Sequence, residues 1–191
     1  VMARKEELEE FRKHKVYLKV PIEECYQVTG KGPLGIKWID INKGDDEYEE
    51  YRSRLVAKEI KMDKREDLFA ATPPLEALKL LLSLKSSLKT SKRNKPLLIV
   101  HFDISRAHFM PKAERDVYVE ILDEDPAKKT NLVGKLLRTW YGTQGASNLW
   151  QKHYTDLISK QDYRPGVSNR AVFYSPSQDA RMLVHGDDFV L

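Results

Sequence analysis

The stretch Arg181-Met182-Leu183-Val184-His185-Gly186-Asp187-Asp188-Phe189-Val190-Leu191 sets two adjacent carboxylates between short apolar runs. That pattern predicts a β-hairpin that lifts both acids on a four-residue polar tip, His185 to Asp188. Adjacent carboxylates repel one another on a folded surface, and a shared divalent cation relieves the repulsion. A third acid, Asp103, closes the run Leu97-Leu98-Ile99-Val100-His101-Phe102, which has strand composition. If Asp103 arrives beside Asp187 and Asp188, acids from two strands can grip the same metal. Gly-Asp-Asp is also ordinary turn chemistry, and the chain carries its own control. Gly44-Asp45-Asp46 lies among Glu and Lys and reads as a plain exposed turn, whereas apolar residues flank the second copy on both sides.

A second candidate group is cationic. Under strand periodicity, Tyr51-Arg52-Ser53-Arg54-Leu55-Val56-Ala57-Lys58 puts Arg52, Arg54 and Lys58 on one side, a face suited to phosphates. The plainer reading is a solvated edge whose charges guard against aggregation.

The elements that must position these residues follow from hydrophobic periodicity. Residues 3–15 are Glu/Lys-rich with Leu8 and Phe11 as the main apolar points, which predicts a weakly held surface helix. Val16 to Val20 reads as an edge strand stopped by Pro21. Ile36 to Ile41 and the cationic tract form a hairpin. Thr72 is the expected N-cap of a helix over Leu75 to Lys89, with a proline in its first turn and a leucine face that belongs to the core. Residues 89–96 form a basic loop. Ser105 to Met110 enters a short helix, Val117 to Ile121 and Leu132 to Trp140 are strand-like, and Ala146 to Lys160 is an amphipathic helix. Arg170 to Tyr174 is a last apolar segment before the terminal hairpin.

Composition sets the bounds. The 191 residues are 41% hydrophobic and 32% charged, enough for one core with a smaller appended lobe. The net charge of +4 points only mildly towards a polyanionic partner. The lone cysteine, Cys25, excludes an internal disulfide and suits a reducing cytosol or nucleus. No apolar run is long enough to span a membrane, and the charged N-terminal residues do not read as a leader.

In this order, the pieces resemble the reverse transcriptase domain of copia-type LTR retrotransposons. The likeness covers residues 16–191. It is carried by Tyr51 to Lys58, by Asp67-Leu68-Phe69-Ala70-Ala71-Thr72-Pro73 leading into the leucine-rich helix, and by Phe102-Asp103-Ile104-Ser105-Arg106-Ala107. Further fragments are Asp116 to Glu120, the tract Tyr141-Gly142-Thr143-Gln144-Gly145-Ala146-Ser147-Asn148-Leu149-Trp150, and His185-Gly186-Asp187-Asp188 where the family has Tyr-Val-Asp-Asp.

The resemblance implies an α+β polymerase fold of palm and fingers, an antiparallel sheet with helices packed on one face. Residues 1–15 are then an N-terminal charged helix, 16–72 the fingers-like hairpin region and 73–191 the palm. It implies RNA-directed DNA synthesis with two Mg²⁺ ions, or Mn²⁺ in their place, held by the catalytic acids Asp103, Asp187 and Asp188. Asp103 and Asp187 are the expected bridging ligands, with Asp188 a lesser one. Arg52, Arg54, Lys58, Ile104, His108, Gln144 and Gly145 become the nucleotide-binding positions, with His108 where the family places the aromatic residue that rejects a 2′-hydroxyl. Implied partners are an RNA or DNA template-primer, deoxynucleoside triphosphates and the remainder of a Pol polyprotein, in a cytoplasmic virus-like particle or the nucleus. Thumb and RNase H lie outside this sequence, and the piece alone is expected to be inactive.

Rival readings stand beside this one. A remnant that binds nucleic acid without chemistry would keep the same fold. A transition-metal site could use His101, Asp103, His108, His185 and Asp187. A phosphatase of the haloacid dehalogenase type would need acids where Ser105, Val190 and Leu191 stand.

Overall fold

The computed structural model describes residues 2–60, 70–88, 90–92 and 94–191. In chain order its elements are α1 (Met2–Lys13), β1 (Tyr17–Pro21), α2 (Ile22–Thr29), β2 (Ile36–Asn42), β3 (Tyr51–Ala57), α3 (Leu75–Ser87), β4 (His101–Asp103), β5 (Tyr118–Val119), β6 (Leu132–Leu136), α4 (Ala146–Ser159), β7 (Arg164–Pro165), β8 (Val172–Ser175), β9 (Ala180–His185) and β10 (Asp188–Val190). Single 3₁₀ turns cover Ala107–Phe109 and Pro126–Lys129. The protein is mixed α and β, and every pair of named strands is antiparallel. The chain divides into two compact units that interleave in sequence, residues 1–67 with 108–149 and residues 68–107 with 150–191.

The first unit holds the hairpin of β2 and β3 and a three-stranded sheet in the order β1-β6-β5, so β1 is an edge strand as its proline requires. Its core gathers Leu8, Phe11, Val16, Leu55, Phe109, Val119, Leu136 and Trp140. The helix α1 is therefore not the weakly held surface helix expected. Phe11 is 3% exposed, and its ring centroid lies 5.1 Å from that of Tyr17 and 4.8 Å from that of Trp140. Two apolar residues one turn apart suffice because both are large enough to reach the core. Arg4 adds a two-pronged grip on Asp40 of β2, at 3.2 and 2.5 Å, and Ser53 Oγ donates to the same carboxylate at 2.7 Å.

The helix α2 was not anticipated. Pro21 precedes it, Cys25 is its buried residue, and Gly30 ends it in a left-handed conformation with its N–H on Tyr26 O at 2.9 Å. Leu132 to Trp140 is strand only as far as Leu136. Trp140 instead turns inward, and its indole N–H donates to Leu55 O at 2.7 Å.

The second unit is a five-stranded sheet in the order β4-β10-β9-β8-β7. The residues of α4 that belong to it place Trp150 and Tyr154 on the sheet face carrying Phe173 and Phe189. The Tyr154 ring stands 5.5 Å from Phe189 and 6.2 Å from Phe173. The expected strand from Leu97 is much shorter, since only His101–Asp103 is strand. Its extension is a single exchange, Val100 N–H to Leu191 O and Leu191 N–H to Val100 O, both 2.9 Å.

Two expectations for α3 fail. Pro74, not Thr72, is the N-cap, with ψ 150 and no side-chain cap, because consecutive prolines hold the preceding residues extended. Its leucines are not core either. None of its residues is buried, Leu75 is 59% and Leu80 60% exposed, and a cleft of about 610 Å³ lies between Leu80, Leu81 and Leu84 and the strand residues Phe173 and Leu183. Residues 61–69, Lys89 and Arg93 lie outside the described residues. With them go Asp67-Leu68-Phe69 of the lead-in and part of the basic loop, whereas α3 itself ends at Ser87 with Leu88 as its C-cap, short of the expected Lys89.

Two outcomes follow from this packing. Truncating Phe11→Ala removes a ring from a three-way aromatic contact and should cost about 3 kcal/mol, read from the urea midpoint. Arg4 and Ser53 hold the Asp40 carboxyl down to about 2 from its ordinary 3.8. A lowered folded value means that this stabilisation is complete above the ordinary value and is lost as pH falls towards 2. Asp40→Asn should therefore flatten the acid limb of a stability-against-pH curve.

Candidate active site

Each unit brings together part of the expected site. In the second unit, β10 lies between β4 and β9, and its register sets Asp188 opposite Asp103 on one side and His185 on the other. Ile104 N–H donates to Asp187 O at 2.9 Å, and the Val100–Leu191 exchange falls on the same register. Hydrogen-bonded and open pairs alternate along an antiparallel ladder, so Asp103 and Asp188 form an open pair, the kind whose Cα atoms approach to about 4.5 Å. Their side chains share one face, away from Phe102 and Phe189, which stack on the other with centroids 5.1 Å apart.

The polar tip from His185 to Asp188 is a tight β-turn between β9 and β10. Only Gly186 and Asp187 form the loop, and His185 and Asp188 already pair. Gly186 has φ +66 while Asp187 is not left-handed, which is the pattern of a type II′ turn with glycine in its first central position. The carbonyl of Gly186 accepts the Trp150 indole N–H at 2.7 Å. Sequence reasoning placed Trp150 in the apolar stripe of a helix and missed this role. Only the indole nitrogen, a donor that must find a partner when buried, could have signalled it.

Asp187 therefore sits on the turn, with Asp188 as the direct neighbour of Asp103. Among the described residues, Asp103 and Asp187 make no ion pair, and Asp188 meets only His101, Nε2 to Oδ1 at 2.9 Å. His101 is two residues before Asp103 on the same face, and reaches Asp188 diagonally across the ladder. Among the described residues, no three His, Cys, Asp or Glu side chains are gathered tightly enough to hold one ion by themselves. Two carboxylates that face each other across the ladder nonetheless suit Mg²⁺, which is commonly held by one or two carboxylates, waters and substrate phosphates.

The other candidates, apart from Ile104, lie in the first unit. Arg52 and Arg54 point to the side of β3 opposite the buried Ser53, Leu55 and Ala57. The Arg54 guanidinium carbon stands 5.3 Å from the Tyr141 ring centroid, a cation–π contact. His108 lies edge-on to the same ring at 4.6 Å, and its carbonyl accepts the Thr139 hydroxyl. Lys58 is exposed just past the strand, its N–H on Gly35 O at 2.8 Å.

The tract from Tyr141 to Gly145 docks against the end of β3. Ala57 N–H donates to Tyr141 O at 2.9 Å. Gly142 has φ +83, and a Cβ there would stand 2.1 Å from Ala57 O, so both conformation and space demand glycine. Gln144 N–H donates to Glu59 Oε2 at 2.6 Å, and its side-chain Nε2 to Ile60 O at 3.1 Å. Gly145, at φ +80, gives its carbonyl to Leu149 N–H at the start of α4. The sequence reading named neither Glu59 nor its partner Arg115.

A family model described as reverse transcriptase (RNA-dependent DNA polymerase) matches residues 25–191, most of the chain. The chain belongs to that reverse transcriptase family. It is also 26% identical over 198 residues to a retrovirus-related Pol polyprotein from transposon TNT 1-94 of Nicotiana tabacum, which covers 99% of this chain. The chain spans 14% of that relative's length. The resemblance read from the order of the motifs is thereby borne out, and this reverse transcriptase chain carries its acids on an antiparallel sheet. Replacing Gly186 by Val, the residue of the Tyr-Val-Asp-Asp motif, should destabilise the chain by about 1–2 kcal/mol in chemical denaturation. Space is not the cause, since a Cβ there would meet nothing within 4 Å.

Proposed function

We propose that this chain is the polymerase core of a copia-type retrotransposon Pol polyprotein, synthesising DNA on an RNA template by two-metal nucleotidyl transfer. The observation that carries the proposal is the open cross-strand pairing of Asp103 with Asp188 in a member of the reverse transcriptase family. In this reading residues 16–72 are fingers and 73–191 palm, the partners are template-primer and deoxynucleoside triphosphates, and the setting is a cytoplasmic particle or the nucleus.

Asp103, Asp188 and Asp187 are the residues that would hold Mg²⁺, which when bound would supply the charge that activates a primer 3′-hydroxyl and stabilises departing pyrophosphate. Asp103 and Asp188 offer oxygens from adjacent strands, and Asp187 offers a third carboxylate from the turn. The sheet fixes the first two, because backbone hydrogen bonds on either side set their separation. Trp150 holds the turn by its carbonyl, so Asp187 is presented from an anchored loop. On the first unit, Arg52, Arg54 and Lys58 are the cations for a triphosphate. His108, stacked edge-on to Tyr141, stands in for the bulky aromatic ring that excludes a ribose hydroxyl, and a smaller ring relaxes that exclusion.

The test is primer extension on an RNA template with Mg²⁺ by the chain within its full Pol polyprotein, together with Mn²⁺ binding followed by electron paramagnetic resonance. Asp103→Asn and Asp188→Asn should each lower extension at least about a hundredfold and weaken Mn²⁺ binding. Salt-sensitive binding of RNA or DNA with no extension by the unaltered chain would instead identify a remnant that binds nucleic acid without chemistry.

A further inference from the structure

We infer that Glu59 and Arg115 are positioning residues that together set the backbone of Gln144 for an incoming nucleotide, an inference that rests on the nucleotide-binding role proposed above. Gln144 lies between two left-handed glycines, Gly142 and Gly145, in a tract that belongs to no strand or helix. Its N–H and C=O therefore have no ladder to satisfy them and need other partners. One charged pair satisfies both. Glu59 Oε2 accepts the Gln144 N–H at 2.6 Å, and Arg115 Nη2 donates to the Gln144 carbonyl at 3.1 Å.

The two side chains are in turn locked to each other. Arg115 Nη1 donates to Glu59 Oε1 at 2.7 Å, and Nη2 donates to Oε2. Two parallel bonds fix the angle between guanidinium and carboxylate as well as their distance, which a lysine could not do. The Glu59 side chain is only 13% exposed. Burial pushes its carboxyl up, and the Arg115 guanidinium and the Gln144 N–H outweigh that and keep it below the usual range. Gln144 is held a third time, through its side chain on Ile60 O. Glu59 directly follows Lys58 and Arg115 lies far along the chain, so the clamp ties the end of the cationic strand to the Gln144 tract. An ion pair needed only for cohesion would have no reason to engage both polar groups of one peptide residue outside any ladder.

The test measures three properties of the chain in parallel: hydrogen exchange at the Gln144 amide by NMR, binding of Mg²⁺-dTTP by calorimetry, and the thermal midpoint. Glu59→Gln should speed exchange and weaken dTTP by about tenfold or more, the effect of losing a charge-assisted bond. Arg115→Lys, which keeps charge but loses the fork, should move both in the same direction by less. The double exchange Glu59→Arg with Arg115→Glu separates positioning from cohesion. It re-forms an ion pair but turns a guanidinium towards the Gln144 N–H, so the midpoint should recover while exchange stays fast and dTTP stays weak. Unchanged exchange in Glu59→Gln, or recovery of all three properties together in the double variant, overturns the inference. If the unaltered chain fails to bind Mg²⁺-dTTP, the nucleotide-binding reading itself falls, and the exchange measurement alone decides whether the clamp holds Gln144.

Discussion

Strand register is the constraint on which the acidic site depends. Side chains alternate faces along a strand, so a slip of one residue between β4 and β10 would carry Asp188 to the aromatic face and bring Phe189 to the acidic one. Three features oppose such a slip. The double exchange between Val100 and Leu191 pins one end of the ladder, the Ile104 N–H on Asp187 O pins the other, and the stacked Phe102 and Phe189 reward only this alignment. On the other side of β10, the II′ turn at Gly186 fixes its alignment with β9, because a two-residue loop leaves that pair a single register. The carboxylates are thus placed by backbone bonds and an apolar stack, and their mutual repulsion is borne by a framework in which they take no part.

The first unit solves a different problem. Residues 141–145 make no ladder, yet their shape is fixed at nearly every peptide. Ala57 takes the Tyr141 carbonyl, Gly142 fits where no Cβ can, Thr143 Oγ1 donates to Trp140 O at 2.7 Å, and Glu59 with Arg115 holds Gln144. Such a segment is rigid without being regular. The cationic strand and this tract are consequently one structural feature, because the end of β3 supplies most of the groups that hold the tract.

Sequence legibility followed the range of the interaction. Alternation along the chain was enough to place Asp103 at a strand end, to find the terminal hairpin and to put Arg52 and Arg54 on one face. It found the polar tip from His185 to Asp188 but not its turn type, which depends on the positive φ at Gly186. It made α3 core because periodicity reports an apolar stripe without reporting what covers it. It overlooked α1's anchorage and the Glu59–Arg115 clamp for a shared reason. Phe11 meets Trp140, and Glu59 meets Arg115, across long separations in the chain, and neither local composition nor spacing encodes such a meeting. The proline pair before α3 was legible in principle, since each proline forces its predecessor out of helical geometry.

The leucines along α3 bear on how the protein behaves outside its native setting. Leu75, Leu80 and Leu82 on α3 and Leu88 at its C-cap are each about half exposed or more, and Leu98, Ile99 and Val100 add to the apolar surface of the same unit. Water-facing surface of this kind is sticky, and molecules carrying it adhere to one another as concentration rises. A purified sample would therefore be governed in solubility by this one helix, with mild detergent or polar replacement of its leucines serving to keep it monodisperse while the acidic sheet edge and the β3 clamp remain as they are.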